Sequence, residues 1–232
     1  MDVPALLATA DRIAAKSSAD GWSDPAASLD LVAAAGVPVT AGHLVPVGAA
    51  VAEIVRVVGE HGPVAVKAVT DGLLHKAAEG GVHLGVVDDG GARAAVTALV
   101  DRFGDRLRGV FVQPMVELGA EWLVGVRGDA RFGPLVVCGP GGSATEAGSG
   151  HRVRLCPLTE SDVADLVAGA DRPHELADVV RRVARLAELV PSVRELDLNP
   201  VVIGATGVSA VDARVRLVPT AATDPLVRGW PG

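Results

Sequence analysis

The chain has 232 residues, 49% of them hydrophobic and 21% charged, with a formal net charge of −7. That is enough apolar side chain for one large domain or two small lobes. Aromatic residues make up only 3%, with no tyrosine, which argues against a platform that stacks nucleic-acid bases. The acidic balance likewise supplies no general field for nucleic acid or an anionic membrane.

In chain order, Leu6, Leu7, Ala10, Ile13 and Ala14 form a helical stripe. A polar break from Ser17 to Pro25 follows. A short helix over Leu29 to Ala35 is stopped by Gly36. Val37-Pro-Val-Thr is a short extended piece. Val51, Ile54, Val55 and Val58 predict a helix over 48–60, and Val64 to Val69 reads as a buried strand. Val82 to Val87 is a second strand. Val96, Leu99, Val100 and Phe103 mark a helix over 90–103, and strands are expected at 109–113, 121–127 and 134–138. A glycine-rich loop, Gly139 to Gly150, precedes a strand at Arg152 to Leu155. Thr159, with Asp162 three residues on, has the pattern of a helix-capping box. Leu176, Val179, Val180, Val183 and Leu186 mark a longer helix. Glu195 to Ile203 and Val208 to Val211 pair around Gly204-Ala-Thr-Gly207, with Asp212 assigned to a strand in Val211-Asp-Ala-Arg214. Helices and strands are mixed without a strict alternation, so the expected class is α+β.

Cys138 and Cys156 have neither a metal-type nor a disulfide-framework spacing. The start, Met1-Asp-Val-Pro, has no basic region followed by a long apolar run. No stretch of about 18 apolar residues is present. The expectation is a soluble cytoplasmic protein with no membrane partner.

Lys67 ends an apolar strand, where it serves either as a phosphate-binding point charge or as an edge lysine that snorkels to water. His75-Lys76 follows in a loop, and a neutral imidazole is nucleophilic near pH 7. Gly80-Gly81 leaves backbone amides open to an anion or simply makes a turn. Gln113-Pro-Met115-Val116 closes a strand where backbone groups can read an adenine edge. Glu121 can bind a ribose hydroxyl from the next strand. Glu195, Asp197 and Asn199 alternate onto one strand face. With Asp212 they offer oxygen donors that suit Mg²⁺, or the solvated side of a hairpin. The glycine-rich loop does not match the phosphate-loop pattern, and no dinucleotide fingerprint, nucleophile elbow or zinc cluster is present in the sequence.

Taken in order, these pieces resemble the ATP-grasp domain of the ADP-forming acyl-CoA synthetases (acetate–CoA ligase type) over about residues 28 to 216. The likeness rests on Ala35-Gly-Val-Pro38, Pro63-Val-Ala-Val-Lys67, Leu74-His-Lys76, Gly80-Gly-Val82, Val112-Gln-Pro-Met115, Glu121-Trp-Leu-Val-Gly125, Phe132-Gly-Pro134, Gly141-Gly142, Pro157-Leu-Thr159, Glu195-Leu-Asp-Leu-Asn-Pro200 and Val211-Asp-Ala-Arg214. The resemblance implies a nucleotide clamped between two α+β lobes. Residues 1–27 would be an N-terminal helix and linker, 28–108 the first lobe, 109–218 the second and 219–232 a loosely held tail. It implies ATP/ADP and Mg²⁺ as cofactors. Lys67, Lys76, Gly80, Gly81 and Arg154 would lie at the nucleotide, with Gln113, Met115 and Val116 at adenine and Glu121 near the ribose. Asn199 and Asp212 would hold the metal, and His75 would relay the phosphoryl group. A partner of the CoA-binding α type would carry the main phosphohistidine and take a small carboxylic acid and CoA, leaving this chain as a β-type subunit. Ala77-Ala78 stands where the family has Ser-Asp, and Ser149-Gly150 where it has Lys-Asp. Two other readings therefore accompany the main one: a catalytically impaired ATP-binding regulatory subunit, and another ATP-grasp ligase that activates a carboxylate as an acyl phosphate.

Overall fold

The structure, a computed structural model, describes residues 1–70, 79–129, 131–142 and 150–218. Two antiparallel sheets organise the molecule. The first is built from β1 (His43–Val45), β2 (Val64–Thr70), β3 (Val82–Val86) and β4 (Leu107–Pro114), in the order β1-β4-β2-β3. The second contains β5 (Ala120–Asp129), β6 (Gly133–Pro140), β7 (Arg152–Leu155), β8 (Val193–Ile203) and β10 (Ala213–Leu217), in the order β10-β8-β5-β6-β7. A short β9 (Val208–Ala210) pairs with the far end of β8.

Strand alternation gives the first sheet two different faces. Val64, Val66 and Ala68 of β2 lie with Val110 and Val112 of β4 beneath α3 (Ala50–His61) and α4 (Asp89–Phe103), in a small core with Ile54, Val57, Leu99 and Phe103. The intervening residues Ala65 and Lys67 pair with Gln113 and Phe111 and face the other way. Phe111 joins the larger core of the second lobe, so this face lies between the sheets. Both helices are delimited by local chemistry. The Asp88 side chain accepts from the Gly91 N–H to start α4. At the C-terminal end of α3, Gly62 adopts φ +81°, which only glycine takes easily.

The second sheet is covered on one face by α5 (Glu160–Leu166) and α6 (Pro173–Leu189), and it also receives α1 (Val3–Ala14) and α2 (Pro25–Ala34). The apolar stripe of α6, Leu176, Val179, Val180, Val183 and Leu186, is buried against Val126, Val136 and Leu196. The capping box expected at Thr159 forms. Its side chain accepts from the Asp162 N–H, and the Asp162 carboxylate accepts from the Thr159 N–H at 2.9 Å.

The helices and strands expected from periodicity form within a few residues of their expected bounds, but three assignments differ. The strand expected to open the second lobe, 109–113, is instead central to the first sheet. β4 pairs with β2 from Thr70↔Leu107 to Val64↔Pro114, and that ladder outweighs nearness in sequence to β5. The lobes therefore meet near residues 115–119 rather than at 108. Residues 1–27 are not a separate helix and linker. Leu6, Ile13, Leu29 and Val32 belong to the second lobe's core, and Trp22 bridges Arg216 of β10. The first lobe is thus inserted between two parts of the second. Asp212 lies in the break between β9 and β10 rather than within a strand. There the Val211 N–H is drawn to the Pro200 carbonyl at 3.2 Å. β1 carried no sequence signal, being three residues with a largely exposed pattern. The tail 219–232 lies outside the described residues.

Phe111 is the large side chain through which β4 reaches the second core. Phe111→Ala is expected to destabilise the protein by about 3–5 kcal/mol in urea unfolding followed by circular dichroism. Burial pushes the Cys138 thiol up to about 12 and the Cys156 thiol to about 11. Neither is expected to react with an aromatic disulfide reagent at pH 8 in the folded protein, and both are expected to react once it is unfolded.

Candidate functional site

Lys67 is buried at 7% exposure on the β2 face that looks toward the second sheet. Its ammonium donates to the Gln113 side-chain oxygen at 2.8 Å and, across the lobes, to the Val211 carbonyl at 2.8 Å. Gln113, itself 1% exposed, donates its amide N–H to the Thr40 carbonyl. The edge-lysine reading of Lys67 therefore does not hold, because its charge is carried inside the cleft by oriented oxygen dipoles.

The second lobe supplies a facing set. Leu196 and Leu198 of β8 are buried under the helices, which turns Glu195, Asp197 and Asn199 to the opposite, open face. Asp197 pairs in register with Arg214 of β10. Burial raises the Asp197 carboxyl above its ordinary range and the neighbouring Asp212 adds to the rise, while Arg214, Arg127 and His151 oppose it. Burial likewise lowers Arg214 against the pull of Asp197 and Asp212. The Arg214 guanidinium lies 4.6 Å from the centre of the Trp22 ring, a cation–π arrangement. Asp212 directly follows the carbonyl that holds Lys67.

Gly142 enters the site through its backbone. Its N–H donates to the Asn199 side-chain oxygen at 2.8 Å. Its φ is +59°, and a Cβ there would fall on the Glu121 carboxylate. The structure thus brings Glu121, Gly142 and Asn199 together. The Gly141 N–H donates to the Glu121 carbonyl, which fixes the turn out of β6 onto β5.

The other expected residues separate. Met115 and Val116 stand in the segment joining the lobes, but the Met115 N–H is already bonded to the Pro63 carbonyl at 2.9 Å. Gln113 precedes that segment, in β4, and its side chain holds Lys67 rather than reaching the junction. Gly80 and Gly81 lead into β3, where the Gly81 carbonyl accepts from the Ala68 N–H, one residue beyond Lys67. Arg154 is not in the cleft. Register places it opposite Val136, on the face covered by α5, and it pairs with Asp165 at 2.9 Å and Asp162 at 3.3 Å. A one-residue difference in strand phase puts it on the other side of the sheet from Asp197. His75 and Lys76 lie outside the described residues.

Sequence reading missed Trp22, Thr40 and the Val211 carbonyl. Trp22 and Thr40 come from the N-terminal part of the chain, and a backbone carbonyl leaves no mark in residue identity. Arg214 was visible in Val211-Asp-Ala-Arg214, two residues from Asp212, but its pairing with Asp197 was not.

A family model described as the ATP-grasp domain matches residues 14–217. The chain belongs to the ATP-grasp family. It is 33% identical over 185 residues to the β subunit of the ADP-forming acetate–CoA ligase I of Pyrococcus furiosus, covering 71% of this chain and 80% of that one. It is 32% identical over 173 residues to the ADP-forming acetate–CoA ligase I of Archaeoglobus fulgidus, covering 67% of this chain but 25% of that protein. Among solved structures, acetyl-coenzyme A synthetase 1 of Ca. Korarchaeum cryptofilum, in complex with coenzyme A and Ca-AMPCP, superposes with a TM-score of 0.78 at 25% identity. That match covers 92% of this ATP-grasp chain and 98% of the other. The inserted first lobe, the two-sheet cleft and the face-alternating strands are therefore features of a shared fold. Among the described residues, no helix is long and apolar enough to cross a membrane.

The Lys67–Gln113 bond is expected to act as a coupled pair. Gln113→Leu should cost about 2 kcal/mol by leaving a charged donor short of an acceptor. In a cycle with Lys67→Met, the coupling should be about 1.5–3 kcal/mol by chemical denaturation.

Proposed function

We propose that this chain is the nucleotide-binding β-type subunit of an ADP-forming acyl-CoA synthetase. It would move a phosphoryl group between ATP/ADP and a histidine so that a carboxylate and CoA become an acyl-CoA. The observation that carries this reading is the Lys67 ammonium, held across the two lobes at the Val211 carbonyl beside Asp212. The similarity to the Pyrococcus furiosus β subunit supports the same assignment.

Mg²⁺ fits the donor set. Asn199 and Asp212 offer only oxygen ligands, the type a hard cation prefers. Among the described residues no three His, Cys, Asp or Glu side chains converge as a metal cage. Mg²⁺ takes one or two protein ligands beside phosphates and water. When bound, the metal offsets the phosphate charge during transfer. Lys67 supplies a fixed positive charge for a phosphate oxygen, and its bonds to Gln113 and Val211 hold it in place before the nucleotide arrives. Gly80 and Gly81 offer backbone amides beside it. Val116 and Met115 flank adenine at the lobe junction, and Glu121 accepts from a ribose hydroxyl. Arg154 has no part, because it is engaged with Asp162 and Asp165 on the other face.

His75, followed by Lys76, is the assigned phosphoryl acceptor. A ring nitrogen forms the new P–N bond as the γ-phosphoryl P–O bond breaks, and ADP leaves with that electron pair. A CoA-binding α-type partner would take the group onward to a small carboxylic acid, and CoA would displace phosphate from the acyl phosphate. The second reading, an ATP-binding regulatory subunit, is favoured by Ala77-Ala78 and Ser149-Gly150, where the family has Ser-Asp and Lys-Asp.

With γ-labelled ATP, Mg²⁺, a carboxylic acid, CoA and the CoA-binding subunit, the wild-type chain is expected to form acyl-CoA and His75→Ala to form none. Nucleotide binding by His75→Ala should be unchanged. Lys67→Ala should weaken nucleotide binding roughly 10- to 100-fold by calorimetry. Tight nucleotide binding with no thioester under these conditions would select the regulatory reading.

A further inference from the structure

A second cationic site lies on the open face of the second sheet, away from Lys67. Arg127 of β5 and Arg216 of β10 flank Glu195 of β8 in one row across three strands. Both pair with that single carboxylate, Arg216 at 3.1 Å. With Arg194 and Gly128 they line a cleft of about 310 Å³. Among the described residues no carboxylate pairs with Arg194. A Cβ at Gly128 would come within 3.3 Å of the Arg194 Cα and Cδ, so the bare glycine leaves room for that side chain. The lining therefore holds three guanidinium groups against one carboxylate, in a chain whose net charge is −7. The rim contributes Asp20, whose carbonyl accepts from Arg216 at 2.8 Å and whose carboxylate is occupied by the Ser18 hydroxyl. One positive charge remains after Asp20 is counted.

This row continues the face that carries Asp197 and Arg214. Two residues along a strand span about 7 Å, so the cleft lies one step beyond the Asp197–Arg214 pair, on the side away from Asp212. Planar guanidinium forks suit phosphate oxygens, which they bind in bidentate fashion.

The geometry points to a phosphate-group subsite formed by Arg127, Arg194 and Arg216, separate from the Lys67 site. The subsite stands on this arrangement alone. Its two candidate sources, inorganic phosphate and the phosphates of coenzyme A, rest on the proposed function. Glu195 occupies two of the three guanidinium groups and sets the affinity, since an arriving phosphate must compete with it.

Calorimetric titration of the full chain with inorganic phosphate, and separately with coenzyme A, tests this. The subsite predicts that at least one of them binds, more weakly as NaCl is raised. Arg194→Ala should weaken that binding about tenfold and Glu195→Gln should tighten it. Binding of phosphate alone identifies the free ion as the source. Binding of coenzyme A far tighter than phosphate, with the same response to Arg194→Ala, identifies the cofactor. Failure of both ligands to bind wild type, or equal binding by wild type and Arg194→Ala, overturns the subsite. ATP affinity is measured on the same samples and should be the same in wild type and Arg194→Ala. Loss of ATP binding in wild type would count against the proposed function while leaving the Arg194 comparison valid. Arg194 forms no ion pair among the described residues, so its variant should fold, and a thermal melt confirms that.

Discussion

A buried ammonium between two sheets is the constraint on which the site depends. An unpaired charge in a protein interior costs several kcal/mol, so Lys67 is stable there only if oriented oxygens surround it. Gln113 supplies one from the neighbouring strand, and the Val211 carbonyl supplies another from the opposite lobe. The second bond ties the inserted first lobe to the turn that carries Asp212. It also accounts for the break between β9 and β10, since a carbonyl turned toward Lys67 cannot also continue a regular ladder. Gln113 in turn is anchored to Thr40, in the strand-like segment that enters the first lobe. One side chain thus draws together the entry to the first lobe, its central strands and the turn of the second lobe that carries Asp212.

The second sheet meets a different constraint. Its strands must be apolar on the face beneath α5 and α6 and polar on the face toward the cleft. The period-two pattern of β8 satisfies both, with Leu196 and Leu198 inward and Glu195, Asp197 and Asn199 outward. Carboxylates and arginines crowd the outward face in alternating rows. Asp197 with Arg214 and Glu195 with Arg127 and Arg216 offset one another's charge. Close to Asp212 the carboxylates Asp197 and Asp212 are matched by Arg214 and Lys67. At Arg194 the balance is positive and suits an anion. A single sheet face therefore passes from a charge-matched region at Asp197 and Arg214 to a cationic one a two-residue step along the strands.

Much of this was legible in residue order because it depends on short-range rules. Helix caps, glycine stops, apolar periodicity and the alternation of β8 act over a few residues, and Thr159, Gly62 and Asp197 behave as those rules require. Lys67, Glu121, Asn199 and Asp212 were nominated as cleft residues because their types and order resemble a known family. Arg154 was not assigned to its correct side. The side of the sheet it occupies is set by its register with Val136 and by the carboxylates of α5.

The sequence by itself determined the α+β class, nearly every helix and strand, and the set of charged residues available to a nucleotide site. Only the tertiary structure decided how these were shared between lobes and faces. β4 joined the first sheet, α1 and α2 joined the second core, Gln113 became the support of Lys67, and three arginines gathered around Glu195. Each of those outcomes depends on pairing between residues tens to almost two hundred positions apart. Such pairing is chosen by which apolar surfaces can be buried together and which buried charges find partners, and a local sequence window does not contain that choice.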